Sequence, residues 1–168
     1  RIEMLADDGD GGDSDEPEIV SGIQSLPDDV CSDVEYGGEG EAEVLIASDL
    51  PLQGDSAERS AQMNDAIRQE LDDQGWKAGA TSVAFQACDD SIEETGEWDE
   101  QVCRDNAAAY AENPDVIGVL GTYNSGCAKI IVPVLNQDPN GPMLMVSQAN
   151  TNPGLTKTWD PGEPDKYY

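Results

Sequence analysis

Residues 121–126 read GTYNSG and stand directly before an apolar run with helical spacing. A helix opening behind such small residues turns its first N–H groups and its positive dipole end toward an anion. Ser125 adds a hydroxyl to that set, and the same residue type is also an ordinary helix cap. The loop is not a phosphate cradle of the G-x-x-x-x-G-K-[ST] kind, because the lysine is missing. Gly118, Gly121 and Gly126 also miss the G-x-G-x-x-G spacing of a dinucleotide site. A carboxylate is the anion that a small, hydroxyl-bearing loop suits. Residues 149–153 (ANTNP) offer further hydroxyl and amide groups, of a kind that also builds plain turns. Asp89 and Asp90 can be read as a paired acid/base site. The acidity of the whole chain makes an exposed acidic loop the expected reading instead.

Composition narrows the chemistry further. The 168 residues include no histidine, which excludes Ser-His-Asp and Cys-His catalysis and most catalytic zinc sites. Acidic residues number 36 against 8 basic ones, a net charge of −28. Such a surface repels nucleic-acid backbones and anionic lipid headgroups, so neither is an expected partner. No apolar run approaches the ~20 residues of a membrane span. The four cysteines, Cys31, Cys88, Cys103 and Cys127, show no C-x-x-C spacing, which argues against a redox pair or a zinc knuckle. Their even number suits two disulfides, and three pairings are open. Residues 7–18 (DDGDGGDSDEPE) contain no apolar side chain and read as a solvated linker. Asp8 and Asp10 begin a calcium-loop pattern that Gly12 breaks.

The elements that must position these loops alternate regularly from residue 43 onward. Short apolar strands are expected at 44–47, 81–87, 116–120 and 143–147. Between them, helices are expected at 57–74 (capped by Ser56, with Met63, Ile67 and Leu71 as its apolar stripe), at 100–112 (capped by Asp99, ended by Asn113-Pro114), and at 127–137 with Pro133 inside. Apolar strands alternating with helices predict an α/β fold: a parallel sheet, flavodoxin-like in order, with helices on both faces. Right-handed crossovers then place every strand-to-helix loop on one edge, where such sheets bind ligands.

With these elements in place, residues 46–156 resemble the N-terminal lobe of type I periplasmic substrate-binding proteins, and most closely the branched-chain amino-acid receptors of ABC transporters. The resemblance is carried by Pro51-Leu-Gln-Gly54, Ala87-Cys-Asp-Asp90, Val116-Ile-Gly-Val-Leu-Gly121, Tyr123-Asn-Ser125, Pro133, Gly141-Pro-Met143, Ser147, and Ala149-Asn-Thr-Asn-Pro-Gly-Leu-Thr156. It implies a ligand set of Ser125, Ala149, Asn150 and Thr151 around the carboxylate and ammonium of an amino acid. Asn150 stands where the family commonly has serine. The resemblance also implies export and therefore disulfides. Cys88 at a strand end and Cys103 on the next helix lie 15 residues apart, which makes them the first expected pair and leaves Cys31 with Cys127.

The expected organisation is an acidic N-terminal extension (1–42), a ligand-binding lobe (43–158), and the start of a crossover to a second lobe (159–168). The chain opens on Arg rather than Met, so a removed signal peptide or anchor is expected upstream. The implied function is extracytoplasmic binding of an amino acid or similar small carboxylate, delivered to an ABC permease. The alternative is an extracellular input domain of a membrane-bound regulator. No catalytic residues, metal or cofactor are expected, and the chain is not read as an enzyme.

Overall fold

The computed structural model describes residues 19–157. A short hairpin, β1 (Ile19–Val20) and β2 (Ile23–Gln24), precedes a five-stranded sheet. The sheet comprises β3 (Val44–Leu50), β4 (Lys77–Ala78), β5 (Thr81–Asp89), β6 (Val116–Gly121) and β7 (Leu144–Val146), in the order β4-β5-β3-β6-β7. β5, β3, β6 and β7 run parallel, and only β4 is antiparallel. The parallel strands thus lie second, first, third, fourth, the flavodoxin-like order that the alternation predicts. Register places Asp49, near the end of β3, between Cys88 of β5 and Gly121 of β6. The carboxyl ends of these strands therefore meet along one edge.

Helices cover both faces because each strand is apolar on both sides. α1 (Ala57–Asp73) lays Ile67 and Leu71 over Val83, Phe85 and Ala87. α2 (Glu100–Glu112) and α3 (Ser125–Leu135) pack Ala107, Tyr110, Ile131 and Leu135 against Leu45, Ala47 and Val119 on the other face. Asp99 caps α2 as expected, its carboxylate accepting from the N–H groups of Gln101 (2.7 Å) and Val102 (3.2 Å). Ser56 does not cap α1. It ends a 3-10 turn (Gly54–Ser56) that leads straight into the helix, so no extended cap residue is present. α3 begins two residues earlier than expected and runs through Pro133 to Leu135.

Two expectations are corrected here. Residues 19–42, read as part of a linker, are packed into the lobe: Ile23, Leu26 and Ala42 are buried. The reason lies in β5. β4 pairs only with Thr81 and Ser82, which leaves the rest of that strand edge in need of partners. Residues 30–35 supply them, with Ser32 N–H donating to Ala87 C=O (2.8 Å), Asp89 N–H to Val30 C=O (2.8 Å), and Glu35 and Phe85 exchanging a pair (2.8 and 2.9 Å). The buried Gln86 side chain joins the two, accepting from Leu26 N–H (2.9 Å) and donating to Ser32 C=O (2.6 Å).

The cysteine pairing follows from the same arrangement. Cys31 lies opposite Cys88 across that edge and is bonded to it, while Cys103 on α2 is bonded to Cys127 on the neighbouring α3. The expected pairs Cys88–Cys103 and Cys31–Cys127 are not formed. β5 offers Cys88 to the edge segment, whereas Cys103 faces the helix beside it on the same side of the sheet. The expectations for residues 1–18 and 158–168 lie outside the described residues. Among the described residues, no helix is long and apolar enough to cross a membrane.

Candidate functional site

The loops after β6 and β7 form one hydrogen-bonded unit at the carboxyl edge of the sheet. Parallel pairing of β6 with β7 puts their ends side by side. Ser147 ties the loops together: its hydroxyl donates to Thr122 C=O (2.8 Å) and accepts from the N–H groups of Ala149 (3.2 Å) and Asn150 (2.9 Å). The Asn150 amide nitrogen donates to Thr122 C=O at 2.9 Å and lies 3.4 Å from Tyr123 C=O. Ser125 Oγ accepts from Thr151 N–H (3.2 Å) and Asn152 N–H (3.3 Å). All four residues expected from the resemblance, Ser125, Ala149, Asn150 and Thr151, are thus brought into one place.

The geometry decides what each can offer. Asn124, not Ser125, is the N-cap of α3, so Ser125 is not consumed as a cap. A hydroxyl has two acceptor lone pairs and one hydrogen. Two N–H groups already occupy the Ser125 oxygen, so its remaining capacity is as a donor, which suits an anion. Asn150 is the reverse case. Its nitrogen faces two carbonyls, and its Oδ1 accepts no hydrogen bond among the described residues, so it can offer an acceptor to an ammonium. Thr151 is exposed, while Ser125 and Asn150 are half-buried. Across the opening, Arg59 on α1 donates to the Tyr123 hydroxyl (3.1 Å), a contact that raises the guanidinium pKa and sets a cation beside the loop. From the other side, the loop after β5 lays Trp98 directly against Gly126, where a Cβ would collide with the indole ring. Beside the loops, between α3 and β7, runs a mainly apolar groove of about 320 Å³ with Val132, Met143 and Leu155 on its walls and Ser147 and Asn150 at its polar end.

A second constellation lies deeper on the same edge, and the sequence reading placed it wrongly. Asp90 is fully buried rather than part of an exposed loop, because its backbone continues the pairing at the strand ends, receiving Asp99 N–H (2.8 Å) and donating to Leu50 C=O (3.2 Å). It shares the interior with Asp49, also fully buried, whose Oδ2 accepts from the Tyr110 hydroxyl (2.6 Å) and the Asn106 amide (3.1 Å). Burial pushes Asp90 up to about 9, with the adjacent Asp49 charge adding to the effect. Burial also pushes Asp49 up to about 6, opposed by its hydrogen bonds from Tyr110 and Asn106. Burial and Asp49 together hold Tyr110 well above its ordinary range. Neither carboxyl reaches solvent, so the pair cannot meet a dissolved substrate as an acid/base couple. Asp89, by contrast, turns outward from the strand end. It accepts from Leu52 N–H, Ser91 N–H and the Gln53 amide (2.8 Å each) and from the Ser91 hydroxyl. The usable sequence signal for this cluster was Cys103, Asn106 and Tyr110, which share the inward face of α2.

No family model matches the sequence, and no curated protein does. Solved structures that resemble the fold include the following three. One, from Rhodospirillum rubrum and assigned to branched-chain amino-acid ABC transport, is 24% identical, with a TM-score of 0.55 over 66% of this chain and 30% of that one. Two are ABC transporter substrate-binding proteins from Desulfitobacterium hafniense. The first is 22% identical, with a TM-score of 0.52 over 67% and 30% of the two chains. The second, solved in complex with Leu, is 23% identical, with a TM-score of 0.53 over 71% and 32%. The chain therefore spans about a third of the length of the structures it matches. With its sheet order, two helical layers and converging loops, it has the fold of one lobe of a type I periplasmic-binding protein.

Proposed function

We propose that the chain is the solute-binding lobe of an extracytoplasmic receptor for an amino acid or similar small carboxylate, serving ABC-type uptake. The observation that carries this reading is the junction of the loops after β6 and β7. There Ser125 keeps a hydroxyl hydrogen for a carboxylate oxygen, and Asn150 keeps a carbonyl for an ammonium. The two groups have opposite hydrogen-bonding polarity on adjacent loops, which fits a zwitterion better than a simple anion. Arg59 provides positive charge nearby in a chain that is otherwise strongly negative. Two disulfides agree with an oxidising, extracytoplasmic setting. Two of the solved structures of like fold are substrate-binding proteins, one of them holding Leu.

Titration of the isotopically labelled chain with leucine, followed by amide NMR, tests the proposal. One lobe offers only part of an enclosing site, so affinity should be weak. Shifts should be confined to residues 121–127 and 147–153. Ser125→Ala should weaken binding about tenfold or more, the worth of a hydrogen bond to a charged oxygen. Shifts scattered over the surface, or an unchanged titration in Ser125→Ala, would sink the site assignment.

A further inference from the structure

On the α1 side, the loop junction is walled by two side chains one helical turn apart. Arg59 donates to the Tyr123 hydroxyl (3.1 Å) in the loop after β6, and the Gln148 amide, in the loop after β7, donates to Met63 Sδ (3.2 Å). α1 therefore lies along the junction that Ser125 and Asn150 occupy, and it brings a guanidinium there. Arg59 differs from the other arginines described. Arg68 is paired with Glu35 and Asp65, and Arg104 with Glu100. Arg59 pairs with no carboxylate among the described residues and rests on a neutral phenol. Its neighbour Glu58 is turned instead to Gln62 (3.4 Å). With 36 acidic residues against 8 basic ones, an arginine without an acid partner at a candidate ligand site points to a ligand that supplies the acid. We propose, resting on the zwitterion reading of Ser125 and Asn150, that the solute is a dicarboxylic amino acid of the glutamate or aspartate kind, whose side-chain carboxylate is received by Arg59 and Tyr123.

The hydrogen-bonding inventory fits this class. A guanidinium carries five N–H donors and no acceptor, and Arg59 gives one of them to Tyr123. The Tyr123 hydroxyl accepts that bond, and its own hydrogen meets no acceptor among the described residues. The pair thus presents donors and positive charge, which suits a carboxylate. An apolar side chain would leave those donors to water and gain nothing from them. Tyr123 stands two residues before Ser125, and its C=O lies 3.4 Å from the Asn150 amide nitrogen. One loop therefore carries both the groups for the amino-acid head and the anchor for the second acid. The long-range field of a chain at −28 opposes any anion, so a preference for an acid over its amide has to come from donors at the site.

Paired titrations of the isotopically labelled chain, followed by amide NMR at low ionic strength, test the inference: glutamate against glutamine, and aspartate against asparagine. Each pair matches closely in size and head group and differs in side-chain charge. At least one acid should bind about threefold to fivefold more tightly than its amide, the scale of one exposed ion pair. The gap should close toward about 0.5 M salt, because exposed charges are screened. Arg59→Gln should bring the acid-to-amide ratio to about one, and Arg59→Lys, which keeps the charge, should keep much of it. Equal affinities within both pairs overturn the inference, as does a ratio unmoved by Arg59→Gln. The underlying reading is judged separately, by where the shifts fall. Acid and amide shifting residues 121–127 and 147–153 alike, with a ratio of one, would leave the zwitterion site standing and remove only the dicarboxylic class. Scattered or absent shifts with all four ligands would remove both.

Discussion

The two sides of the sheet are finished differently. On the β5 side, residues 30–35 cover the strand edge, Cys31–Cys88 locks them there, and Arg68 on α1 grips Glu35 with two hydrogen bonds of 2.7 Å. On the β7 side, no residue among those described pairs with the outer edge. Leu144 and Val146 are 67% and 50% exposed, and Ile117 of β6 is 51% exposed. The closed side buries even polar groups, Gln86 and Asp90 among them. The open side carries the loops with hydrogen-bonding capacity to spare. Resistance to unfolding and the proposed recognition of a solute thus fall on opposite sides of one sheet, and substitutions can separate them.

The most damaging change should be removal of the lock on the closed side. Replacing Cys31 and Cys88 with serine should cost ~4 kcal/mol in the chain-entropy picture, since the bridge spans 57 residues. The pair Cys103–Cys127 spans 24 and should cost ~3.5 kcal/mol. Urea midpoints of oxidised variants would check both, and a smaller loss for the first pair would break the contrast between the sides.

The buried carboxyls make the next prediction. In the oxidised chain, Asp90 is held near 9 and Asp49 near 6, both above their unfolded values. Between about pH 4 and 9 the folded state therefore holds protons that the unfolded state has lost. Their contribution to stability is complete below the unfolded pKa and is lost as pH rises through the folded values. Asp90→Asn should change stability little at pH 4 and raise it relative to wild type at pH 8, by roughly 1–3 kcal/mol, because a buried amide has no proton to hold against the rising pH. Parallel melting curves for the two proteins across that range would refute the burial of Asp90.

Smaller effects follow at the surface. Glu35→Gln should cost up to ~1 kcal/mol, because the Arg68 pair is partly exposed, and the loss should shrink in high salt. Leu144→Thr with Val146→Thr should leave stability within about 0.5 kcal/mol, as those side chains contact solvent more than protein. A loss of several kcal/mol there would show that the β7 side is not open in solution.

Local pattern carried much of the fold. Apolar strands alternating with 3.6-period helices place the parallel sheet, its order and the loops at its carboxyl edge, since both periodicities are properties of neighbouring residues. Asp99 before the second helix and Asn113-Pro114 after it mark their boundaries for the same reason. The meeting of Ser125, Ala149, Asn150 and Thr151 on adjacent loops was also legible, because the strand-to-helix loops of a parallel sheet converge on one edge.

What the sequence left open depends on contacts between residues far apart in the chain. Residues 19–42 have a composition that reads as solvated, and only the unpaired edge of β5 draws them into the fold. The cysteine partners were read wrongly because pairing depends on which elements become neighbours, not on spacing. Asp90 looked like one more exposed acid in a chain of 36, and its burial is decided by the strand ends and α2 closing over it. A residue's own chemistry fixes what it can bond to, and its tertiary neighbours fix whether water or protein answers.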